Sequence, residues 1–255
     1  MIEGFLKKGF TETINVPVKK ELDLLQKLIY SNTKNLLADH DENLSIEEKL
    51  NVNFKEIASQ KDWSNIMNIV NNSKELNSLI NSEGIKSTFK TMFKNPEPFD
   101  ISTFRARMSS QKRVIYNWHQ DEGTWYLSKN KNHLNKFPAT LWFSINGANK
   151  DESIQLVESS HNDKLYNHNY VNGQGFFNID NKKIIDENKI YTVCTKPSEG
   201  VIFHPLMLHR SVPINPNNLR PRYTIDIRYF DRSFNPNFQV DYKFKIKRFF
   251  KNFSL

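Results

Sequence analysis

His119 and Asp121 stand two apart in Tyr116-Asn117-Trp118-His119-Gln120-Asp121-Glu122-Gly123-Thr124-Trp125, an aromatic-rich stretch where an imidazole and a carboxylate can serve one metal ion. If the stretch is extended, residues i and i+2 share one side of the strand, so both donors converge while Gln120 faces away. Two histidines and one carboxylate with open positions form the donor set of non-haem Fe(II) oxygenases. The third ligand must come from elsewhere, and the candidates are His133, His161, His168, His204 and His209. His209 follows the apolar run that begins at Val201, which a buried strand would provide. His133 and His168 lie in Asn/Lys-rich loops and read as solvated. His161 reads as a hydrogen-bonded structural residue, and His204 is a ligand only if the strand register is shifted. Beyond His209, Arg222 opens a strand-like run to Tyr229. Its planar fork can make two charge-assisted hydrogen bonds to a carboxylate co-substrate. Arg105 and Arg107 can face the same pocket and meet an anionic substrate, or be strand-edge charges. Glu122 and Trp125 are candidates for the substrate mouth, against the plainer readings of a solvated acid and a core indole.

The elements that must position these side chains fall into two textures. Residues 4–16 start as a short helical turn and then alternate as a strand does. Leu22, Leu25 and Ile29, with Leu24, Leu28 and Leu36, give Lys19–Leu37 the spacing of an amphipathic helix. Ser45 with Glu48 three residues on has capping-box logic. Trp63, Ile66, Met67 and Val70 continue the helical pattern, as do Leu76, Leu79 and Ile80. After Pro96-Glu97-Pro98 come short β-branched or aromatic runs: 101–108, 114–118, 138–145, 153–157, 189–195, 201–203 and 222–229. Such runs, separated by Gly, Asn and Pro, predict a sandwich, jelly roll or barrel. With no linker between the textures, residues 1–255 read as one domain. Its mostly helical part (1–100) would pack outside a β core (101–232), followed by a basic aromatic tail (233–255). A terminal helix docking its Phe residues is the expected fate of that tail, with peripheral contact to an anionic membrane as the alternative.

The chain of 255 residues carries 36 basic and 28 acidic side chains, a net +8. That balance suits an anionic substrate, an acidic membrane surface or nucleic acid, and equally plain solubility. No nucleic-acid motif accompanies the charge, so no nucleic-acid partner is expected. Cys194 is the sole cysteine, which excludes an intrachain disulfide and fits a reducing compartment. It reads as a small buried thiol in a strand. No apolar run is long enough to span a bilayer, and residues 1–8 lack the apolar core of a signal peptide. A cytoplasmic location is the expectation.

Taken together, the motifs resemble the phytanoyl-CoA dioxygenase family of Fe(II)/2-oxoglutarate oxygenases. Gly4-Phe5-Leu6-Lys7-Lys8-Gly9-Phe10 is similar to the family's opening segment, and Trp118-His119-Gln120-Asp121 to its metal-binding His-Gln-Asp. Leu156-Val157-Glu158-Ser159-Ser160-His161 is similar to its Pro-Gly-Ser-His segment, and His209-Arg210-Ser211 to its distal His-Gly-Ser. Arg220-Pro221-Arg222 stands where its arginine segment follows. The departures are Glu158-Ser159 for Pro-Gly, and Arg210 for the glycine after the distal histidine. The resemblance implies a double-stranded β-helix (jelly-roll, cupin-like) core. His119, Asp121 and His209 would hold Fe(II), with three coordination positions left for 2-oxoglutarate and O2. It further implies that Arg222, with Arg220 as runner-up, binds the far carboxylate, that Ser211 is a second donor, and that Trp142 walls the pocket. The expected outcome is hydroxylation of a small molecule with release of succinate and CO2, with ascorbate as reductant. Asp121 speaks against halogenation, because family-like halogenases place a small residue there. Arg105, Arg107 and Arg210 near the mouth point to an anionic substrate, whose identity the resemblance does not supply. The competing reading is a β-helix binding module for an anionic ligand, without turnover.

Overall fold

Serine side chains start the helices that cover the sheet. The computed structural model describes residues 2–38, 42–99, 102–108, 110, 116–124, 138–171, 176–179, 184–213 and 215–233. The helices are α1 (Ile2–Lys8), α2 (Lys19–Thr33), α3 (Ile46–Lys49), α4 (Gln60–Asn71), α5 (Lys74–Ile80), α6 (Glu83–Lys90) and α7 (Asp121–Thr124). Ser45, Ser59, Ser73 and Ser82 cap α3 to α6, each accepting a backbone N–H three residues on. Glu48 and Asp62 close the reciprocal bond, so α3 and α4 have complete capping boxes. Gly9 ends α1 at φ 87°, the left-handed conformation that glycine adopts without a Cβ penalty.

The strands are β1 (Ile14–Asn15), β2 (Pro96–Pro98), β3 (Thr103–Arg107), β4 (Ala139–Ser144), β5 (Ile154–Val157), β6 (Asn169–Val171), β7 (Phe176–Asn178), β8 (Ile190–Thr192), β9 (Glu199–Phe203), β10 (His209–Ser211) and β11 (Arg222–Asp231). A large sheet runs β1-β9-β4-β11-β2, with β3 also paired to β11. A smaller one runs β10-β5-β8, and β6 and β7 form a pair of their own. Every pairing is antiparallel.

Alternation along β11 explains how the layers stack. Tyr223, Ile225, Ile227 and Tyr229 join one buried cluster with Leu22, Leu25 and Ile29 of α2, Trp63, Ile66 and Val70 of α4, and Ile85 and Phe89 of α6. Phe89 stacks on Tyr229 with ring centroids 4.7 Å apart, and the Tyr229 hydroxyl donates to the Ile80 carbonyl at 2.6 Å. Burying each of these aliphatic side chains contributes about 1.5–3 kcal/mol. The opposite face of β11 carries Arg222, Thr224, Asp226 and Arg228, all turned away from the helices. β4 splits likewise, with Leu141 and Phe143 toward the helices and Trp142 in a second apolar cluster. That cluster joins Val201 and Phe203 of the large sheet to Ile154 and Leu156 of the small one. The site lies between these two sheets.

The helical periodicity over 19–37 appears as α2 followed by a 3-10 turn (Lys34–Leu36), the patterns through Trp63–Val70 and Leu76–Ile80 as α4 and α5, and strand runs of the sequence as β3, β4, β5, β8, β9 and β11. Cys194 differs: it is exposed, because Val193 takes the inward position one residue before it. The C-terminal tail from residue 234, residues 114–115 of the predicted strand, His133 and Trp125 lie outside the described residues.

Candidate active site

Three buried side chains meet at one point. His119, Asp121 and His209 offer ligand atoms that all lie within 4.8 Å of one another. His209 starts β10, and His119 pairs with it through reciprocal backbone bonds of 3.0 Å, although 90 residues separate them in sequence. The imidazole centroids stand 4.0 Å apart. Here the expectation of one extended stretch is corrected. Only His119 is bridged like a strand, and Asp121 is the first residue of the helical turn α7. Convergence comes instead from pairing with β10 and from two anchors on the Asp121 carboxylate. Thr140 donates its hydroxyl to Oδ2 at 2.7 Å, and Arg228 donates Nη2 at 3.2 Å. Oδ1 remains toward His209, 3.7 Å from its Nε2. Gln120 does face away, donating to the carbonyls of Leu206 and Lys164 and accepting the N–H of Tyr166.

The residues present fit a metal. His119 Nδ1 lies 2.7 Å from the Asn117 carbonyl and His209 Nδ1 2.9 Å from that of Met207. A carbonyl only accepts, so each Nδ1 carries the proton and each Nε2 presents its lone pair. Burial, reinforced by His209, pushes His119 down to about 3, so the imidazole is neutral. Burial alone would raise the Asp121 carboxyl. Arg228, His209 and His119 outweigh it and hold the group well below the usual carboxylate range.

Farther along the inner face, Arg222 and Arg107 sit directly opposite each other on β11 and β3, 4% and 3% exposed. Arg222 donates Nη1 to the carbonyls of Glu152 (2.7 Å) and Ser153 (3.1 Å), and Arg107 donates Nη2 to the same two at 3.2 Å each. The Arg222 guanidinium lies 5.4 Å from the Trp142 ring centroid. Ser211, two residues along β10 from His209 and on the same face, accepts the Tyr116 N–H at 3.2 Å and keeps its hydroxyl proton to donate. Arg220 is committed elsewhere: it pairs with Glu152 and donates to Asn51 Oδ1 and the carbonyls of Asn146 and Gly147.

The other predicted positions divide. Arg105 pairs with Asp226 at 3.4 Å and donates to the Tyr116 hydroxyl at 2.8 Å, beside the His119 ring. Glu122 is buried beside Asp121, its Oε2 has no hydrogen-bond partner among the described residues, and burial and Asp121 push it up to about 7. Arg210 points to the other face of β10 from His209. It stacks on Trp118 at 4.5 Å and donates to Gln155, so it does not face the triad. His168 is not solvated. It is half-buried, accepts the Gln120 N–H at 2.9 Å, and packs so closely on Gly123 that a Cβ there would overlap its ring. His161 and His204 hold α1 instead of a metal, through the Leu6 carbonyl and the Gly9 carbonyl. Ser159, where the family has glycine, does take a left-handed φ of 65° and binds the carbonyls of Lys7 and Lys8. Thr140, Arg228 and Tyr116 were missed. Thr140 is two residues before Trp142 and Arg228 six after Arg222, so strand periodicity places both on the inner face.

No helix among the described residues is long and apolar enough to cross a membrane. Comparison with known proteins adds the family. The sequence profile of the phytanoyl-CoA dioxygenase family matches residues 18–221. No curated protein matches by sequence. Among solved structures, the non-heme monooxygenase ThoJ aligns with TM-score 0.59 at 14% identity, covering 90% of this chain and 76% of its own. The α-ketoglutarate-dependent carbocyclase SnoK from nogalamycin biosynthesis aligns with TM-score 0.58 at 14% identity, covering 90% and 82%. EvdO2 from Micromonospora carbonacea var. aurantiaca, complexed with 2-oxoglutarate, aligns with TM-score 0.53 at 14% identity, covering 90% and 89%. At these identities the likeness is one of fold. With the profile spanning most of its length and the ligand triad assembled, the chain belongs to the phytanoyl-CoA dioxygenase family and is a non-haem Fe(II)/2-oxoglutarate-dependent oxygenase.

Proposed function

We propose that this protein hydroxylates a C–H bond of a small, anionic metabolite, releasing succinate and CO2. The observation that carries the reading is the buried His119–Asp121–His209 triad beside two buried arginines, Arg107 and Arg222, that form no ion pair among the described residues. Bound Fe(II) and 2-oxoglutarate supply the oxidising chemistry with O2. The chain's own part is positional. The two Nε2 lone pairs and Oδ1 of Asp121 would hold the metal. Thr140 and Arg228 restrain Oδ2, so the carboxylate presents a single oxygen. Arg222 and the Ser211 hydroxyl bind the far carboxylate of the co-substrate, and Trp142 walls it. Arg105, 32% exposed at its side chain, is the arginine of this face that a negatively charged substrate can reach from solvent.

The same reading makes residues 1–255 one oxygenase domain around a double-stranded β-helix, acting in the cytoplasm. The competing reading, a binding module without turnover, is separated by one measurement. Anaerobic addition of Fe(II) and 2-oxoglutarate should give a weak visible charge-transfer band in the wild type and none in His119→Ala. Succinate release on admitting O2 then establishes turnover. A wild type without the band refutes the oxygenase reading, and a band without succinate leaves the binding module.

A further inference from the structure

The arginine pair at the far end of the pocket contains more positive charge than one co-substrate arginine accounts for. Arg107 and Arg222 are cross-strand partners, and their guanidiniums converge on the same two backbone carbonyls. Neither forms an ion pair among the described residues, and Nε and Nη1 of Arg107 and Nε of Arg222 have no hydrogen-bond partner. Glu152, whose carbonyl they share, directs its carboxylate to Arg220 and Asn218. Around them Ser144, Ser153 and Thr224 are 0% exposed, and their hydroxyls are likewise unmatched. Burial and the neighbouring Arg222 push Arg107 well below the ordinary arginine range. Two buried like charges and a cluster of unmatched polar atoms are costly unless an anion completes them. A carboxylate has about four lone-pair directions, enough to accept from two forks at once.

We propose that Arg107 and Arg222 form a two-guanidinium clamp for the far carboxylate of 2-oxoglutarate. Arg107 is then a co-substrate-binding residue and not a substrate contact or a strand-edge charge. The inference rests on the function proposed above and adds a consequence of its own. Because the clamp is complete without metal, simple dicarboxylates bind the metal-free protein by one end.

The test uses chelator-treated full-length protein titrated with glutarate, 2-oxoglutarate and uncharged dimethyl glutarate, read by calorimetry and by the shift in melting temperature. The wild type should bind both dianions and not the diester. Arg107→Met should weaken glutarate by about 10-fold or more, the worth of charge-assisted hydrogen bonds. It should at the same time melt no lower than wild type without ligand, since a buried like charge is gone and Arg222 still serves both carbonyls. Arg107→Lys, which keeps the charge but loses the fork, should fall between. Wild-type affinity for glutarate in Arg107→Met overturns the clamp, as does a lower ligand-free melting temperature with the glutarate-induced shift intact. If Arg107→Met does not fold, Arg107→Lys decides: weakened glutarate supports the clamp, and wild-type affinity overturns it. Fe(II)-loaded wild type that fails to bind 2-oxoglutarate sinks the oxygenase reading itself, whereas wild type that binds it while both variants match it sinks the clamp alone.

Discussion

The two ends of β11 treat their arginines differently. At one end Arg228 faces Asp121 at 3.2 Å and Asp226 at 3.8 Å, and Asp226 in turn holds Arg105 at 3.4 Å. At the other, Arg222 and Arg107 form no ion pair among the described residues and donate to two peptide carbonyls, with Arg222 also lying over the Trp142 ring. Where the fold supplies the counter-charge, the metal ligand is oriented before anything binds. Where the fold withholds it, the missing charge is the signature of an anionic ligand. Residue type alone does not separate these roles, because all four side chains are inward-facing arginines on adjacent strands.

The contrast is broken or sharpened most directly by paired substitutions. Arg228→Met leaves buried Asp121 without its ion-pair partner, while half-buried Asp226 keeps Arg105. It should cost about 3–5 kcal/mol in denaturant unfolding, and weaken Fe(II) binding about 10- to 100-fold. Arg222→Met leaves no carboxylate stranded. It should change unfolding free energy by less than about 1 kcal/mol, while raising the KM for 2-oxoglutarate. Equal destabilisation by both would erase the difference between the two ends. A smaller effect separates the two faces of the large sheet. Leu25→Ala, fully buried under the helices, should cost about 3 kcal/mol. Its Fe(II) affinity, measured at a temperature where the variant is folded, should match the wild type.

The smallest effect lies where α1 docks, at the His161–His204 pair, whose rings stand 5.4 Å apart. Burial, with His161 beside it, pushes His204 down from 6.5 to about 4. The unfolded chain therefore takes up its proton first as pH falls. Stability is unaffected by this group above pH 6.5, falls as pH drops from 6.5 to about 4, and levels off below that. Between pH 7.5 and 5.5 the loss from His204 should be about 1 kcal/mol, measured as the difference in slope between wild type and His204→Asn. Parallel pH profiles for the two proteins would mean that His204 is not held neutral by the fold.

Much of this architecture was legible in the chain. Apolar spacing in Leu22, Leu25 and Ile29, and serine caps such as Ser45 with Glu48, are local signals that depend on a helix's own period. The alternation of Arg222 to Tyr229 was equally readable, since a strand between two layers must send successive side chains to opposite sides. His209 stood out through the buried run before it. What escaped was cross-strand. Thr140 and Arg228 reach the same Asp121 oxygen because they are cross-strand partners on β4 and β11, and Arg107 meets Arg222 only through their register. The helical turn at Asp121 and the packing of His168 on Gly123 likewise depend on neighbours that sequence spacing does not name.

By itself, then, the amino-acid order determined which donors exist and which face of its element each occupies, because helix and strand periods are properties of the local backbone. It thereby offered His119, Asp121 and Arg222 as candidates, with His209 among five histidines for the third donor, although the strand period expected for Asp121 gave way to a helical turn. The tertiary structure alone decided which charges acquire partners: Arg228 meets Asp121, Arg220 meets Glu152, and Arg107 and Arg222 form no ion pair among the described residues. Neutralising a buried charge requires an opposite one within a few ångströms, and only the pairing of distant strands sets that separation.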